Sequence, residues 1–491
     1  MPDQLSTLNI HFFPRSQIKF NDTQYGLAQT SIGRQLVVLT SVKSRVCDSF
    51  EGEHTDQGNQ TLLIGPLSAP NAAVLRAQLP WLQPDLSGLR TSAGMGDRLG
   101  LATPGHVRAV RATGSKIVPI FAQQSIREMT RTGRTAQEVM DDATWGIFEE
   151  GWQDGISADA DHLKTPADID ACLAAGFTFF TIDPGNYVDN RAASADLSEL
   201  RELAEKLPSN LQIKASGLMK QAFDIEGLSL YFDEATLLKA AVKYGHAVFQ
   251  VAGMYDHLVQ AAGSRPFELE VSVDETSQPT SHAEHIYVVS ELKRLGVQWV
   301  SLAPRFIGSF EKGVDYIGDV AAFEADFAGH AAIARQFGPY KLSLHSGSDK
   351  FSIYPAAVRQ TKGLVHLKTA GTSYLEALRT IAALDPDLFR EIYVFSREHY
   401  DTERASYHVS AELRYAPLPE DVKDWQGLLD QFHTRQILHI CFGSVLTAQS
   451  PTGERCFYPR LISLLRGNSE AYFTNLENHF VRHLMFFKQM N

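Results

Sequence analysis

From about residue 88 onward the chain alternates two rhythms: short apolar runs of five to seven residues, and longer stretches whose apolar positions recur every three to four. Eight short runs read as strands: 88–93, 117–123, 155–161, 177–183, 267–273, 299–305, 340–345 and 364–370. Helical spacing fills most of the intervals, for instance 138–152, 166–175 and 282–295. Strands that alternate with helices imply parallel pairing through crossover helices, and eight such units predict a closed (β/α)8 barrel, the TIM-like member of the α/β class. Three further regions surround it. Residues 1–82 read as a small N-terminal α/β cap, with strands at 36–40 and 62–65 and an acidic polar loop at 48–58. The stretch 189–246 is too long for one connection and predicts an insertion over the barrel mouth, with helices at 197–207 and 233–244. The barrel is expected to span 83–373, and a helical extension 374–491, with helices at 374–383, 386–395, 420–431 and 476–488.

The barrel prediction changes how the polar residues are read, because barrel enzymes place their chemistry at the C-terminal ends of the strands. Asp161 and His162, Asp183, Asp274 and Glu275, Arg305, His345, His366 and Lys368 all fall there, while the strand beginnings are bland. His162 and His345 sit at the ends of different strands and are the first expected metal ligands, with His366 as the third. A carboxylate from Asp274 or Glu275 is the alternative third ligand. For each histidine the competing reading is a ring hydrogen-bonded in a pocket wall. Mixed imidazole and carboxylate donors suit a divalent cation, with zinc, manganese and iron left open. Asp161 and Glu275, on well-separated strands, are the expected acid/base pair, since moving a proton off one face and returning it on another needs two groups. Period two places Asp159 on the same face as Asp161.

Anionic substrate groups need local cations, because the net charge is −12 and the acids are spread along the chain. Arg98, in the glycine-rich run 91–100, and Arg305, Lys350 and Lys368 are the expected substrate contacts, with Gln123 reaching hydroxyls. Gln124 and Arg127 join Gln123 on that list; Arg131 and Arg134 are expected to face solvent. Lys368 as a Schiff-base nucleophile is the weaker alternative. The glycine run lacks the spacing of a dinucleotide fingerprint, and neither a phosphate-binding loop nor a serine nucleophile elbow occurs.

Composition excludes several classes. The chain has 491 residues, 44% of them hydrophobic, so a large core is available. No basic patch argues for nucleic acid, and no run of about 18 apolar residues argues for a membrane span. The four cysteines, Cys47, Cys172, Cys441 and Cys456, are scattered, which predicts neither disulfides nor a zinc ribbon and suits a reducing cytoplasm. The first residues lack the apolar segment of a signal peptide.

Several long runs are distinctive: GMGDRLGLATPGHVRA, FAQQSIRE, DDATWG, ADADHLK, SVDET, RFIG, LSLHSGSDKFSIYP, HLKTAGTSYLEALR and SYHVSAEL. From about residue 88 to 413 the chain resembles the tagaturonate/fructuronate epimerase family of hexuronate catabolism. The resemblance implies interconversion of D-tagaturonate and D-fructuronate, and a divalent metal (zinc, manganese, iron or nickel) held by residues such as His162 and His345. It also implies Asp161 as proton acceptor and Glu275 as donor. The two keto acids differ at the hydroxyl-bearing carbon beta to the ketone, whose C–H is not activated by enolisation. Retro-aldol cleavage, rotation of the aldehyde and re-addition is the expected route. A metal-dependent keto-acid aldolase is the alternative enzyme, and a sugar-acid sensor the non-enzymatic one. A small sugar acid is the only partner expected; the oligomeric state is left open.

Overall fold

The computed structural model describes residues 11–487. Its centre is a closed barrel of eight parallel strands: β1 (Ser92–Gly94), β2 (Val118–Ser125), β3 (Ser157–Leu163), β4 (Phe179–Ile182), β5 (Glu268–Val273), β6 (Ser301–Pro304), β7 (Lys341–Leu344) and β8 (Val365–Lys368). Each strand pairs with its neighbour in sequence, and β8 closes on β1. All eight lie within or beside the runs expected from apolar patterning. Helices α1 (Thr103–Thr113), α2 (Ala136–Glu149), α3 (Pro166–Ala175), α4 (Glu234–Ala262), α5 (His282–Arg294), α6 (Val320–Phe337), α7 (Tyr354–Thr361) and α8 (Thr372–Leu384) follow the strands in turn. Thr135, Thr165 and Ser281 open α2, α3 and α5 with reciprocal capping boxes, which satisfy the first free N–H groups.

The barrel interior is polar at its lower end. Lys341 Nζ lies 2.8 Å from Ser87 Oγ and 3.0 Å from Ser92 Oγ, and Glu268 accepts from the Ser87 N–H and hydroxyl at 2.8 Å. His366 belongs to this layer, with Nδ1 2.9 Å from Ser92 Oγ and its ring on Phe179.

The N-terminal region combines a sheet with one helix, as expected, and its strands run antiparallel. Six strands form one antiparallel sheet, and a single helix, Ala69–Gln78, follows it. Glu53–Gln57, inside the stretch expected to be a loop, pairs with Gln60–Gly65 as a hairpin. Its charged side chains suit an exposed edge strand, whose polarity hides the pattern.

The expected insertion over the mouth is also corrected. The short turns Gly185–Tyr187 and Asn190–Ala193 stay near the mouth, where Asn190 Oδ1 accepts from the Ser277 N–H at 3.0 Å. The hairpin Ala222–Ile225/Leu228–Tyr231 packs on the last turn of α6, through Phe223 against Phe337 and Glu226 with Arg335 at 2.7 Å. That turn leads into the start of β7, so the hairpin lies at the opposite end of the barrel. Residues 234–246 are not insertion at all but the first turns of α4.

Past the barrel the chain is helical, with two differences from the sequence reading. Thr372–Leu384 is the eighth barrel helix rather than the start of an extension. Residues 420–431 hold only the 3-10 turns Pro419–Asp421 and Gly427–Asp430. The last helix, α9 (Ser469–Leu484), covers most of the expected 476–488 span, and Lys488 lies outside the described residues. It packs on α1 where Gly105 leaves no room for a side chain: a Cβ there would lie 2.6 Å from Leu476 Cβ. Leu476 is wholly buried in this contact. Leu476→Ala is expected to cost about 2–5 kcal/mol, from lost transfer energy plus the cavity. Urea denaturation measures it; a change under about 1 kcal/mol would place α9 outside the core.

Candidate active site

Asp159 and Asp161 alternate along β3 and point into the barrel. Strict alternation would turn His162 outward. Instead His162 has φ +53°, and the β3–β4 register shifts beside it. This bulge turns the imidazole into the mouth next to Asp161. His345 arrives from the end of β7, and its ring centroid lies 4.9 Å from that of His162. Asp161, His162 and His345 each offer a ligand atom, and all three lie within 4.8 Å of one another. The two histidines expected to converge do so.

His366 does not join them. It sits one inward position below Lys368 on β8, wholly buried, with Nε2 3.6 Å from Asp159 Oδ2. A strand rises about 3.3 Å per residue, so two positions place it a full layer beneath the mouth. Two further carboxylates reach His345: Asp274, the expected alternative ligand, with Oδ1 3.4 Å from Nδ1, and Glu270 of β5, with Oε1 2.7 Å from Nε2 and Oε2 without a partner. The sequence reading passed over Glu270, although the alternation in ELEVSV puts a charge at an inward position of a buried strand. Such a charge needs a partner.

Lys368 is the hub of the polar interior. Its Nζ lies 2.7 Å from Asp161 Oδ1, 3.0 Å from Asp159 Oδ2, 2.9 Å from Glu270 Oε1 and 2.6 Å from Thr181 Oγ1. These contacts hold it as an ammonium: burial works against the charge, but the three carboxylates raise its pKa well above the ordinary lysine value. That rules out the Schiff-base role in this state. Burial likewise pushes Asp161 up, but His162, Lys368 and His345 outweigh it and hold the carboxyl well below its usual range. Gln123 donates to Asp161 Oδ2 at 3.2 Å and so orients the carboxylate. On His345, burial favours the neutral ring, yet Asp274 and Glu270 push its pKa up to about 10. His162 is raised against burial by Asp161 and by Asp183, whose Oδ2 lies 3.1 Å from His162 Nδ1.

The mouth opens into a cavity of about 600 Å3, lined among others by His162, Asp274, Glu275, Arg305, Lys312 and His345. This is the size of an ordinary small-molecule pocket. Glu275 stands at its rim, 2.8 Å from Arg127 and 3.5 Å from Lys164. Arg305 lines the cavity as expected. Lys312, on the loop after β6, was missed, because a lysine in GSFEKG looks like any surface loop residue. Burial and the neighbouring Arg127 depress its pKa, and it lines both this cavity and the narrower one beside Asp161. Among the described residues neither Arg305 nor Lys312 has an ion-pair partner.

Other expected contacts are spoken for. Arg98 is buried, donates from Nε and Nη2 to Glu128 Oε1 at 2.8 and 2.6 Å, and stacks on Phe442 at 3.6 Å. Gly94 and Gly96 of the glycine run give way to Gln123 and Ala370 respectively, so the run serves packing. Lys350 is wholly buried and donates to the carbonyls of Glu311, Val314 and Ser348 at 2.8, 2.5 and 3.0 Å. It braces the loop that carries Lys312. Arg131 and Arg134 do not face solvent freely: Arg131 holds Tyr407 and Ser406 at the mouth, at 2.9 and 2.7 Å, and Arg134 binds the Asp97 carbonyl.

A closed parallel barrel whose acids, imidazoles and free cations gather at one end defines a (β/α)8 barrel enzyme. The profile of the tagaturonate epimerase family (UxaE) matches residues 13–487. A tagaturonate/fructuronate epimerase from Thermotoga maritima is 47% identical over 416 residues, covering 84% of each chain. The crystal structure of the fructuronate-tagaturonate epimerase UxaE from Cohnella laeviribosi superposes with a TM-score of 0.92 at 38% identity, covering 99% of this chain and 98% of that one. Its structures with one and with two glycerol molecules align equally well. The chain belongs to the tagaturonate epimerase family, and so to the isomerases.

The raised pKa of His345 carries a sign that can be checked on chelator-treated protein. The stability it contributes is complete below the ordinary imidazole value of 6.5 and is lost as pH rises through about 10. Unfolding free energy is therefore expected to fall between those values, and His345→Gln to flatten the fall. Urea titrations at several pH values read this; parallel slopes for both proteins would contradict the assignment.

Proposed function

We propose that this chain interconverts D-tagaturonate and D-fructuronate with a divalent cation at the barrel mouth, by retro-aldol cleavage and re-addition. The observation that carries the reading is the meeting of Asp161, His162 and His345 ligand atoms within 4.8 Å, beside a cavity whose cations Arg305 and Lys312 lack protein partners. His162 and His345 are the imidazole ligands, and Glu270, with one oxygen unpartnered, supplies the carboxylate. Two imidazoles with a carboxylate is a donor set for zinc, manganese, iron or nickel. When bound, the cation supplies Lewis-acid stabilisation of charge developing on the keto-acid oxygens.

The chain's own groups do the rest. Arg305 and Lys312 hold the uronate carboxylate and fix which end of the sugar acid enters. Asp161, kept ionised by Lys368, accepts the proton of the hydroxyl on the carbon beta to the ketone. The electrons of that O–H bond form the aldehyde, and the carbon–carbon pair withdraws to the ketone side as an enediolate. The aldehyde rotates and presents its other face, and the bond re-forms. Glu275, reaching the cavity from the loop after β5, enters the step as the carboxylic acid and gives its proton to the new alkoxide; Asp161 then releases its proton to solvent and Glu275 takes one up, which resets the pair. Ser406, Tyr407 and His408 roof the cavity and hold the fragments in place. Four unpaired cysteines fit a reducing cytoplasm. No helix among the described residues is long and apolar enough to cross a membrane.

The test is incubation of metal-loaded protein with tagaturonate, followed for fructuronate. Accumulation of free three-carbon fragments instead would assign an aldolase. Asp161→Asn is expected to lower kcat about 10²–10⁴-fold while metal content stays unchanged, and full activity would refute its role. Lys312→Met is expected to raise KM about 10–100-fold with kcat little altered, since a charged hydrogen bond contributes roughly 1.5–3 kcal/mol. An unchanged KM would move carboxylate recognition elsewhere.

A further inference from the structure

A second histidine cluster lies outside the barrel, between α5 and α6. His282 is the first residue of α5, while Asp326 and His330 stand four apart on α6 and so share a face. One ligand atom from each of the three lies within 4.8 Å of the others. His330 is wholly buried, yet its Nε2 has no hydrogen-bond partner, and neither has Asp326 Oδ2, 3.7 Å away. Leaving such atoms unpaired costs roughly 1–3 kcal/mol each. His282 Nε2 reaches the Asp326 carbonyl at 2.9 Å and Asp326 Oδ1 at 3.4 Å. That approach depends on Gly329, where a Cβ would lie 2.4 Å from His282 Nε2.

The surroundings accommodate the ring form a ligand needs. His330 Nδ1 is 2.9 Å from His285 Nδ1, and His285 Nε2 is 2.8 Å from the Tyr340 hydroxyl. When His330 donates from Nδ1 into this chain, its Nε2 presents a lone pair toward Asp326 and His282. A hydrogen bond at one ring nitrogen that orients the other for a cation is the usual support of a metal-bound histidine.

We propose that His282, Asp326 and His330 bind a zinc-like divalent cation at a site separate from the barrel mouth. Two imidazoles and one carboxylate suit zinc, and the partial exposure of His282 and Asp326, near one-fifth, leaves a fourth position to water. Binding displaces the proton that His282 shares with Asp326. The cluster of Asp349, His479 and His483 differs. There His483 accepts from the Asp349 N–H at 2.9 Å and faces the His479 carbonyl at 3.1 Å, and His479 lies between Asp349 at 2.9 Å and Glu376 at 3.3 Å. Those rings are already occupied.

The position gives the cation a task. Thr280, two residues before His282, donates to the Arg305 carbonyl at 2.8 Å and accepts from the Arg305 N–H at 3.1 Å. Phe306 packs on the His330 ring at 5.5 Å between centroids. A cation here braces the ends of the two loops that bring Asp274, Glu275, Arg305 and Lys312 to the mouth.

Chelator-stripped protein titrated with zinc alone and weighed by native mass spectrometry tests the site. The unmodified chain is expected to hold one zinc more than His330→Gln or Asp326→Asn, and saturating zinc to raise its Tm more than theirs. His162→Gln/His345→Gln, altered only at the mouth, is expected to keep the zinc that His330→Gln loses. Equal zinc counts for the unmodified chain and the α6 variants overturn the proposal. Circular dichroism checks folding, and if His330→Gln fails to fold, His282→Gln at its partly exposed position carries the same comparison.

Discussion

Three buried carboxylates, Asp159, Asp161 and Glu270, share one ammonium, that of Lys368, at the heart of the barrel mouth. The arrangement leaves an excess of negative charge in a region almost closed to water, where an unpaired charge is very costly. The fold answers by placing His162 and His345 against the cluster. In the protein alone the facing carboxylates raise the pKa of both rings, which is why burial fails to neutralise His345. The cation proposed for these rings would offset the same excess. The ionised state of Asp161 and the raised pKa of the two rings thus arise from one imbalance.

The rest of the mouth is built to leave other charges unspent. Most arginines near it are committed: Arg98 to Glu128, Arg131 to the 403–407 segment, Arg134 to Asp97 and Asp142. Lys350, wholly inside, spends its donors on backbone carbonyls and so fixes the loop next to it. Glu311 of that loop is tied in turn to Ser410 and Gln436 of the C-terminal region. What remains unpaired on the held loop is Lys312, with Arg305 at its base. A cation without a protein partner in a partly buried pocket pays desolvation with no return until an anion arrives. The C-terminal helices are thus part of the site through the segments they hold over it, although they contribute none of the carboxylates or imidazoles at its centre.

The three histidine clusters show that residue type alone does not make a metal site. At the mouth the rings face surplus carboxylates. Between α5 and α6 a buried ring nitrogen and a carboxylate oxygen face one another unpaired. Around Asp349 the same residue types satisfy each other and join α9 to the end of β7. The difference lies in which lone pairs and protons are already used, and that depends on atoms brought from distant parts of the chain.

Apolar patterning alone determined the eight barrel strands and their parallel order, because each strand is buried on both faces and bounded by turn residues. Placing the chemistry at strand ends followed from the same pattern, and with it the convergence of Asp161, His162 and His345. The family motifs in the sequence carry the reaction class. Tertiary structure alone decided depth and pairing. His366 and Lys368 are two residues apart on one strand, yet one lies in the lower polar layer and the other in the charged cluster at the mouth. Arg98 and Lys312 are both cations near the mouth, but only the second is free, because Glu128 and Phe442 reach the first from elsewhere in the chain. His162 faces inward through a bulge that no residue spacing announces. Hydrophobic periodicity is a local property and survives in the sequence, whereas the partner of a buried charge is set by three-dimensional closure.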